Sequence, residues 1–340
     1  MNNKQSKRKQ FTLDDFNYEL PKSRIAQKPA VPRDHSNLLI FDRQTSDIID
    51  DKFYNLDAYL PNSTTLLLNN SKVEKCRLLF DNCEVFILEK VAEKTADAMI
   101  RPGRKFKKNK KVTLSVSEGI ECRVMDILDD GIRRLKFNID LDDRSLDRFR
   151  CTPFPPYIGQ DEQLSDKYQT VYAKQSGSKA APTAGLHFTP QLLRSLKENH
   201  SFAEVTLHVG LGTFAPVKSD DLDNHIMHSE WYEISGPTAL KLNEAAHITA
   251  VGTTSMRVAE TIVSTEGSFA AQKGDTDIFI KPGFTFKAID ALITNFHLPK
   301  STLLMLVAAF MGYEQMMDVY KHAIDRHYRF YSFGDAMLIL

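Results

Sequence analysis

The chain has 340 residues, of which 44 are Lys or Arg and 44 are Asp or Glu, so its formal net charge is zero. With 42% apolar and 26% charged residues, this composition suits a soluble globular protein of about two domains and argues against a disordered, fibrous or uniformly basic nucleic-acid-binding chain. The four cysteines, Cys76, Cys83, Cys122 and Cys151, show no CxxC spacing, which argues against a disulfide framework or a metal site and for a reducing compartment.

Residues 1–10 (MNNKQSKRKQ) are polar and basic with no apolar stretch behind them. They read as a disordered tail rather than a targeting signal. From Phe11 the chain turns globular, with short apolar runs of strand length at 38–41 and 65–68; Pro29 and Pro32 break any helix before Arg33. Residues 76–151 read as an inserted small antiparallel β-barrel domain. Strand-like segments at 76–80, 84–89, 112–116, 121–128 and 133–141 are separated by turn signals such as Asp81-Asn82, Pro102-Gly103 and Asp130-Gly131. The string PFPPY (153–157) fits neither a helix nor a central strand and leads back into the first domain. That main domain, residues 11–75 and 152–340, is predicted to be α/β (α+β) around a central mixed β-sheet or barrel. Helices are expected at 190–199, 236–247, 256–264 and 301–312, and strands at 204–209, 247–252, 276–280 and 290–296. Thr189-Pro190 and Ser301 read as helix starts, and Gly312 as a stop. The longest apolar run, Leu303–Met311, is far below the ~20 residues of a membrane span, so it is expected to be a buried helix of a cytoplasmic protein.

Charge is segregated in the β segment. Residues 101–111 (RPGRKFKKNKK) hold cations and no acid, whereas aspartates crowd 126–147. Arg101, Arg104, Lys105, Lys107 and Lys108 are therefore candidates for RNA phosphate contact.

The second half carries polar strings that end strands or begin helices. In PTAGLHFT (182–189), His187 precedes a helix start, a position expected to hold its imidazole neutral as a general base requires, and Thr183 and Gly185 stand beside it. In VTLHVGLGTF (205–214), His208 shares a strand face with Thr206, and Gly210 and Gly212 allow close approach of a ligand. GLG lacks the third glycine and following helix of a dinucleotide fingerprint, so a nicotinamide enzyme is not supported. In HIMHSE (225–230), the histidines lack a third defined ligand, so no metal is expected, and Glu230 or His228 reads as a group acting on substrate. In VGTTSMR (251–257), Thr253, Thr254 and Ser255 can cap a helix or hold a carboxylate, and Arg257 can pair with one. In ITNFHLPKST (293–302), Asn295, His297 and Ser301 project polar atoms at the carboxyl end of a strand, where α/β folds bind ligands.

Taken in order, PTAGLHFT, VTLHVGLGTF, HIMHSEWY, VGTTSMR, FIKPGF, LITNFHLPKSTLLMLVAAF and YRFYSFGDAMLIL, together with YELPKSRIAQKPAVPRD, RPGRKFK and PPYI earlier in the chain, closely resemble the S-adenosylmethionine:tRNA ribosyltransferase-isomerase family of queuosine biosynthesis. The resemblance covers the chain after residue 10. It implies a monomer with an α/β main domain and an inserted β-barrel. It also implies S-adenosylmethionine as co-substrate, without a permanently bound cofactor, and a tRNA partner carrying 7-aminomethyl-7-deazaguanine at the wobble position. The implied products are epoxyqueuosine-tRNA, adenine and methionine. Such chemistry needs a base for a ribose C5′ proton acidified by the sulfonium, an acid for departing adenine, and donors for the methionine carboxylate. His187, His208, His228 and His297 are the candidates for proton transfer. Asn37, Lys72 and Lys75 depart from the family's arginine, arginine and proline, and leave a non-catalytic tRNA- or RNA-binding paralogue as the alternative. A Rossmann methyltransferase would show a glycine-rich turn in 38–50, and there is none.

Overall fold

In a computed structural model of the chain, the described residues are 11–210, 222–225 and 227–340. The chain divides into two compact units. One contains the chain up to Lys72, Pro155–Gly159 and Asp166–Leu340; the other contains Val73–Phe154 and Gln160–Ser165.

The first unit is built on a nine-stranded mixed sheet. Its strands lie in the order Gln272–Thr276, Glu230–Ile234, Ser201–Leu207, Thr65–Asn69, Ile248–Val251, Ala291–Asn295, Ala336–Ile339, Asn37–Phe41 and Ile48–Lys52. The four strands from Ser201–Leu207 to Ala291–Asn295 run parallel, so their carboxyl ends share one end of the sheet. Ala336–Ile339 runs antiparallel to Ala291–Asn295 and parallel to Asn37–Phe41. The residues that precede these two strands therefore reach the same end. The parallel strands are near-continuous apolar runs because both sheet faces are covered.

The helices of this unit are α1 (Pro190–Asn199), α2 (Gly236–Glu244), α3 (Thr253–Glu266), α4 (Thr302–Met311) and α5 (Tyr313–Asp325). Leu67, Ala250 and Leu292 pack on one face with Val258 of α3, Met305 of α4 and Val319 of α5. Leu68, Val251 and Ile293 pack on the other with Leu192 and Leu196 of α1. Thr189 caps α1 by accepting from the Leu192 N–H at 3.1 Å, and Ser301 caps α4 by accepting from Leu304 at 3.2 Å. Gly312, expected to be a stop, is a corner. At φ +98° it ends α4 and begins α5, whose Met316, Val319, Tyr320 and Ala323 form a buried stripe at helical spacing. The strand expected at 276–280 lies at Gln272–Thr276, a polar edge strand beside Glu230–Ile234.

The second unit is a seven-stranded antiparallel sheet. Its order is Arg150–Cys151, Arg77–Phe80, Cys83–Ala92, Thr95–Arg101, Arg133–Phe137, Ile120–Ile127 and Lys111–Ser115. Closure into a barrel is not found among the described residues, because the two end strands do not pair with each other. Thr95–Arg101 is not legible as a strand: its buried apolar positions are small alanines, Ala96 and Ala98, while the larger Met99 is exposed.

Candidate active site

Residues of four polar strings, PTAGLHFT, VTLHVGLGTF, VGTTSMR and ITNFHLPKST, meet at the carboxyl ends of the parallel strands. A cavity of about 70 Å³ there is lined by Thr183, Gly252, Thr253, Thr254, Asn295 and His297, among others. Thr253 and Thr254 form the first turn of α3. Gly252, its N-cap, has φ +92° and ψ 150°, a conformation reserved for glycine, and offers no side chain to cap the helix. No acid occupies the first turn of α3. Its leading amides therefore form an uncapped, electropositive helix end at the cavity. Tyr157 and Tyr331 add an aromatic wall, their rings 4.3 Å apart and tilted by 30°. Tyr331 has φ +73°, a conformation a bulky residue adopts only where its surroundings impose it.

Asn295 is buried, and its amide orientation follows from its neighbours. Nδ2 donates to the Tyr331 carbonyl at 3.2 Å, which can only accept, and also to His187 Nε2 at 3.1 Å. His187 Nε2 is thus unprotonated, and Nδ1–H donates to Ser36 Oγ at 2.8 Å. Asn295 Oδ1 is left without a hydrogen-bond partner among the described residues.

His187 is neutral, as expected, but the reason differs. It lies in the short turn Thr183–His187, ahead of α1, with its ring 5.0 Å from Phe53. Burial, rather than a helix end, lowers its pKa to about 4. Both ring nitrogens are engaged.

His297 is the imidazole that lines the cavity. Its backbone N–H donates to the Tyr320 hydroxyl at 3.0 Å, and its carbonyl accepts from the Tyr18 hydroxyl. Nε2 lies 2.8 Å from Thr294 Oγ1, whose own proton points to the Asn295 carbonyl at 3.4 Å. That arrangement puts the ring proton on Nε2 and the basic lone pair on Nδ1, which has no hydrogen bond among the described residues. Burial lowers this pKa to about 3.

The other candidates do not line the cavity. His208, just past its strand, stacks on Trp231 with centroids 4.9 Å apart, and a Cβ at Gly177 would meet its Nε2 at 2.7 Å. His228 is exposed. A Cβ at Gly185 would meet the Tyr172 hydroxyl at 2.0 Å, so this glycine serves packing rather than ligand approach. Gly210 donates its N–H to Glu230 Oε1 at 2.9 Å, and Arg257, buried, donates Nη1 to Glu230 Oε2. Ser255 is buried and donates to the Val251 carbonyl at 2.9 Å. Gly212 lies outside the described residues. Among the described residues no group of His, Cys, Asp or Glu could hold a metal ion.

A family model described as "Queuosine biosynthesis protein" matches residues 13–339. The chain belongs to this family. It is 43% identical over 340 residues to the S-adenosylmethionine:tRNA ribosyltransferase-isomerase of Natranaerobius thermophilus, covering 96% of this chain and 99% of that one. It is 46% identical over 338 residues to the protein of the same name in Thermotoga maritima, with coverage of 96% and 99%. A crystal structure of S-adenosylmethionine tRNA ribosyltransferase from Thermotoga maritima matches with a TM-score of 0.57 at 39% identity, over 96% of this chain and 100% of that one.

Two of the three departures from the family pattern, Asn37 and Lys75, take up structural contacts. Asn37 donates its N–H and Nδ2 to the buried Asp335 at 3.0 and 3.1 Å, while Arg329 supplies that carboxylate with a cation. Lys72 is exposed, and Lys75 pairs with Glu162 at 3.3 Å. The basic stretch is partly neutralised. Lys108 pairs with Asp126 at 2.6 Å and Lys105 donates to the Asn82 carbonyl at 2.8 Å. Arg101, Arg104 and Lys107 are exposed, with no ion pair among the described residues. Sequence reasoning passed over Gly252, Tyr157 and Tyr331. The first stood inside VGTTSMR, and the tyrosines meet only in the fold.

Proposed function

We propose that the chain is an S-adenosylmethionine:tRNA ribosyltransferase-isomerase of queuosine biosynthesis, transferring and isomerising the ribosyl group of S-adenosylmethionine onto tRNA. Near-full-length identity of 43–46% to relatives that bear this name carries the reading. The acceptor is the aminomethyl nitrogen of 7-aminomethyl-7-deazaguanine at the wobble position, and the products are epoxyqueuosine-tRNA, adenine and methionine. The enzyme works in the cytoplasm as a monomer. No helix among the described residues is long and apolar enough to cross a membrane.

Within the cavity, Thr253, Thr254 and the uncapped end of α3 take the methionine carboxylate, because that end offers orphan N–H groups and a favourable dipole. Asn295 Oδ1 accepts from an amino group of the substrate. At about 70 Å³, the cavity holds one part of a substrate rather than a whole molecule, since pockets enclosing drug-sized ligands run ~300–1,000 Å³. His297 Nδ1 takes the C5′ proton and returns it to adenine as the bond from ribose to adenine breaks; the tRNA amine attacks the electrophile and gives up a proton to solvent, and methionine leaves with the electron pair of its C5′–sulfur bond. Its pKa of about 3 keeps the His297 Nδ1 lone pair free at neutral pH, and the sulfonium beside C5′ acidifies the proton it takes. His297→Ala should lower single-turnover adenine release by ~10²–10⁴-fold while the protein still binds S-adenosylmethionine. An unchanged rate would move the proton transfer to another group. Absence of tRNA-dependent adenine release from the wild type would sink the functional reading itself.

A further inference from the structure

We propose that the exposed face of the β unit carries a phosphate-binding ridge, Lys111–Arg123–Lys136, that holds the tRNA backbone; this deepens the tRNA-modifying reading and rests on it. The ridge comes from strand register. Arg123 stands opposite Lys111 on one neighbouring strand and opposite Lys136 on the other, and all three side chains are exposed. Like charges directly opposite one another on a sheet repel and cost stability. Neighbouring cations of this unit are balanced: Arg134 makes a bidentate pair with Asp97, at 2.8 Å for each bond, and Lys108 pairs with Asp126. Lys111 is paired with Glu121. Arg123 and Lys136 make no ion pair or side-chain hydrogen bond among the described residues, although aspartates crowd the same segment.

Beside the ridge lies an open depression of about 460 Å³ whose lining includes Lys111, Arg123, Lys136, Asn138 and one acid, Glu121, the partner of Lys111. The loop bearing Lys107 and Lys110 is tied to the same strand, since Asn109 donates its N–H to the Val124 carbonyl at 2.8 Å and Val124 to that of Lys110 at 3.0 Å. Unbalanced cations held in register are what a polyanion needs, and the protein's zero net charge means that attraction must come from a local patch. The cationic contact surface is therefore wider than residues 101–108, and its unpaired centre is Arg123 and Lys136.

The test is the binding of precursor tRNA by the full chain as a function of KCl, with thermal unfolding of each variant. Arg123→Gln/Lys136→Gln is expected to weaken binding on the order of tenfold near physiological salt and to lower the log–log salt slope by about 1.5 to 2. Its midpoint of unfolding should be unchanged or raised, because repulsion is relieved. Single-turnover adenine release at saturating tRNA should stay within about twofold of wild type, since the ridge serves binding. Arg123→Lys should retain both affinity and slope. Lys90→Gln/Lys94→Gln, which removes two cations paired with Asp142 and Asp140 on the same unit, should change little. An unchanged salt slope in the Arg123/Lys136 variant, or an equal loss in the Lys90/Lys94 control, would overturn the ridge. A wild type that binds no precursor tRNA would overturn the functional reading instead, and the ridge with it.

Discussion

Replacing His187 with glutamine is expected to flatten the loss of stability at acid pH. The folded imidazole titrates at about 4 because it is buried, against about 6.5 in an unfolded chain. Between those values the unfolded chain holds a proton that the folded chain lacks. Stability from this site is therefore complete above pH 6.5 and declines as the pH falls toward 4. At pH 5 the decline amounts to about 2 kcal/mol. The variant should begin less stable at pH 7, by about 1–3 kcal/mol, because Ser36 and Asn295 lose a partner, yet lose less between pH 7 and pH 5. Urea midpoints at the two pH values check this, and an equal drop in both proteins would exclude His187 as the titrating group. With both ring nitrogens engaged, His187 acts by fixing Asn295. Its loss should raise KM for S-adenosylmethionine more than it lowers the single-turnover rate. Normal binding with a collapsed rate would return His187 to the role of base.

Glu230→Gln is expected to destabilise the protein by about 3–5 kcal/mol, because it leaves the buried Arg257 guanidinium uncompensated. Adding Arg257→Met should recover most of that loss, since a well-packed apolar pair avoids the cost of burying two charges. Arg257 Nε and Nη2 are buried with no hydrogen-bond partner among the described residues, so the double variant also tests whether they serve the substrate. With the carboxylate held by Thr253, Thr254 and the end of α3, affinity for S-adenosylmethionine should stay within about threefold. Recovered stability with lost affinity would assign the carboxylate to Arg257.

Much of the main unit is legible in the sequence because its signals are local. Apolar runs mark the parallel strands, Thr189 and Ser301 mark helix starts, and the polar strings that line the cavity lie where a strand ends or a helix begins. That is why Thr183, Thr253, Thr254, Asn295 and His297 line one cavity. What the sequence hides is set by distant partners. His187 is enclosed by Phe53 and by Ser36, 151 residues earlier in the chain. Gly185 is required by the Tyr172 hydroxyl, and Gly177 by the His208 ring. Lys108 is neutralised, and Arg123 flanked by like charges, only because of cross-strand register. No run of residues reports a register.

The most direct measurement follows the fate of label from S-adenosylmethionine incubated with the protein and precursor tRNA, with carbon label placed in the ribose in one reaction and in the methyl group in another. Transfer of the ribosyl group predicts ribose label bound to tRNA, methyl label recovered in free methionine, and one adenine released per ribosyl group transferred. Methyl label on the tRNA, or tRNA bearing neither label, would contradict the account.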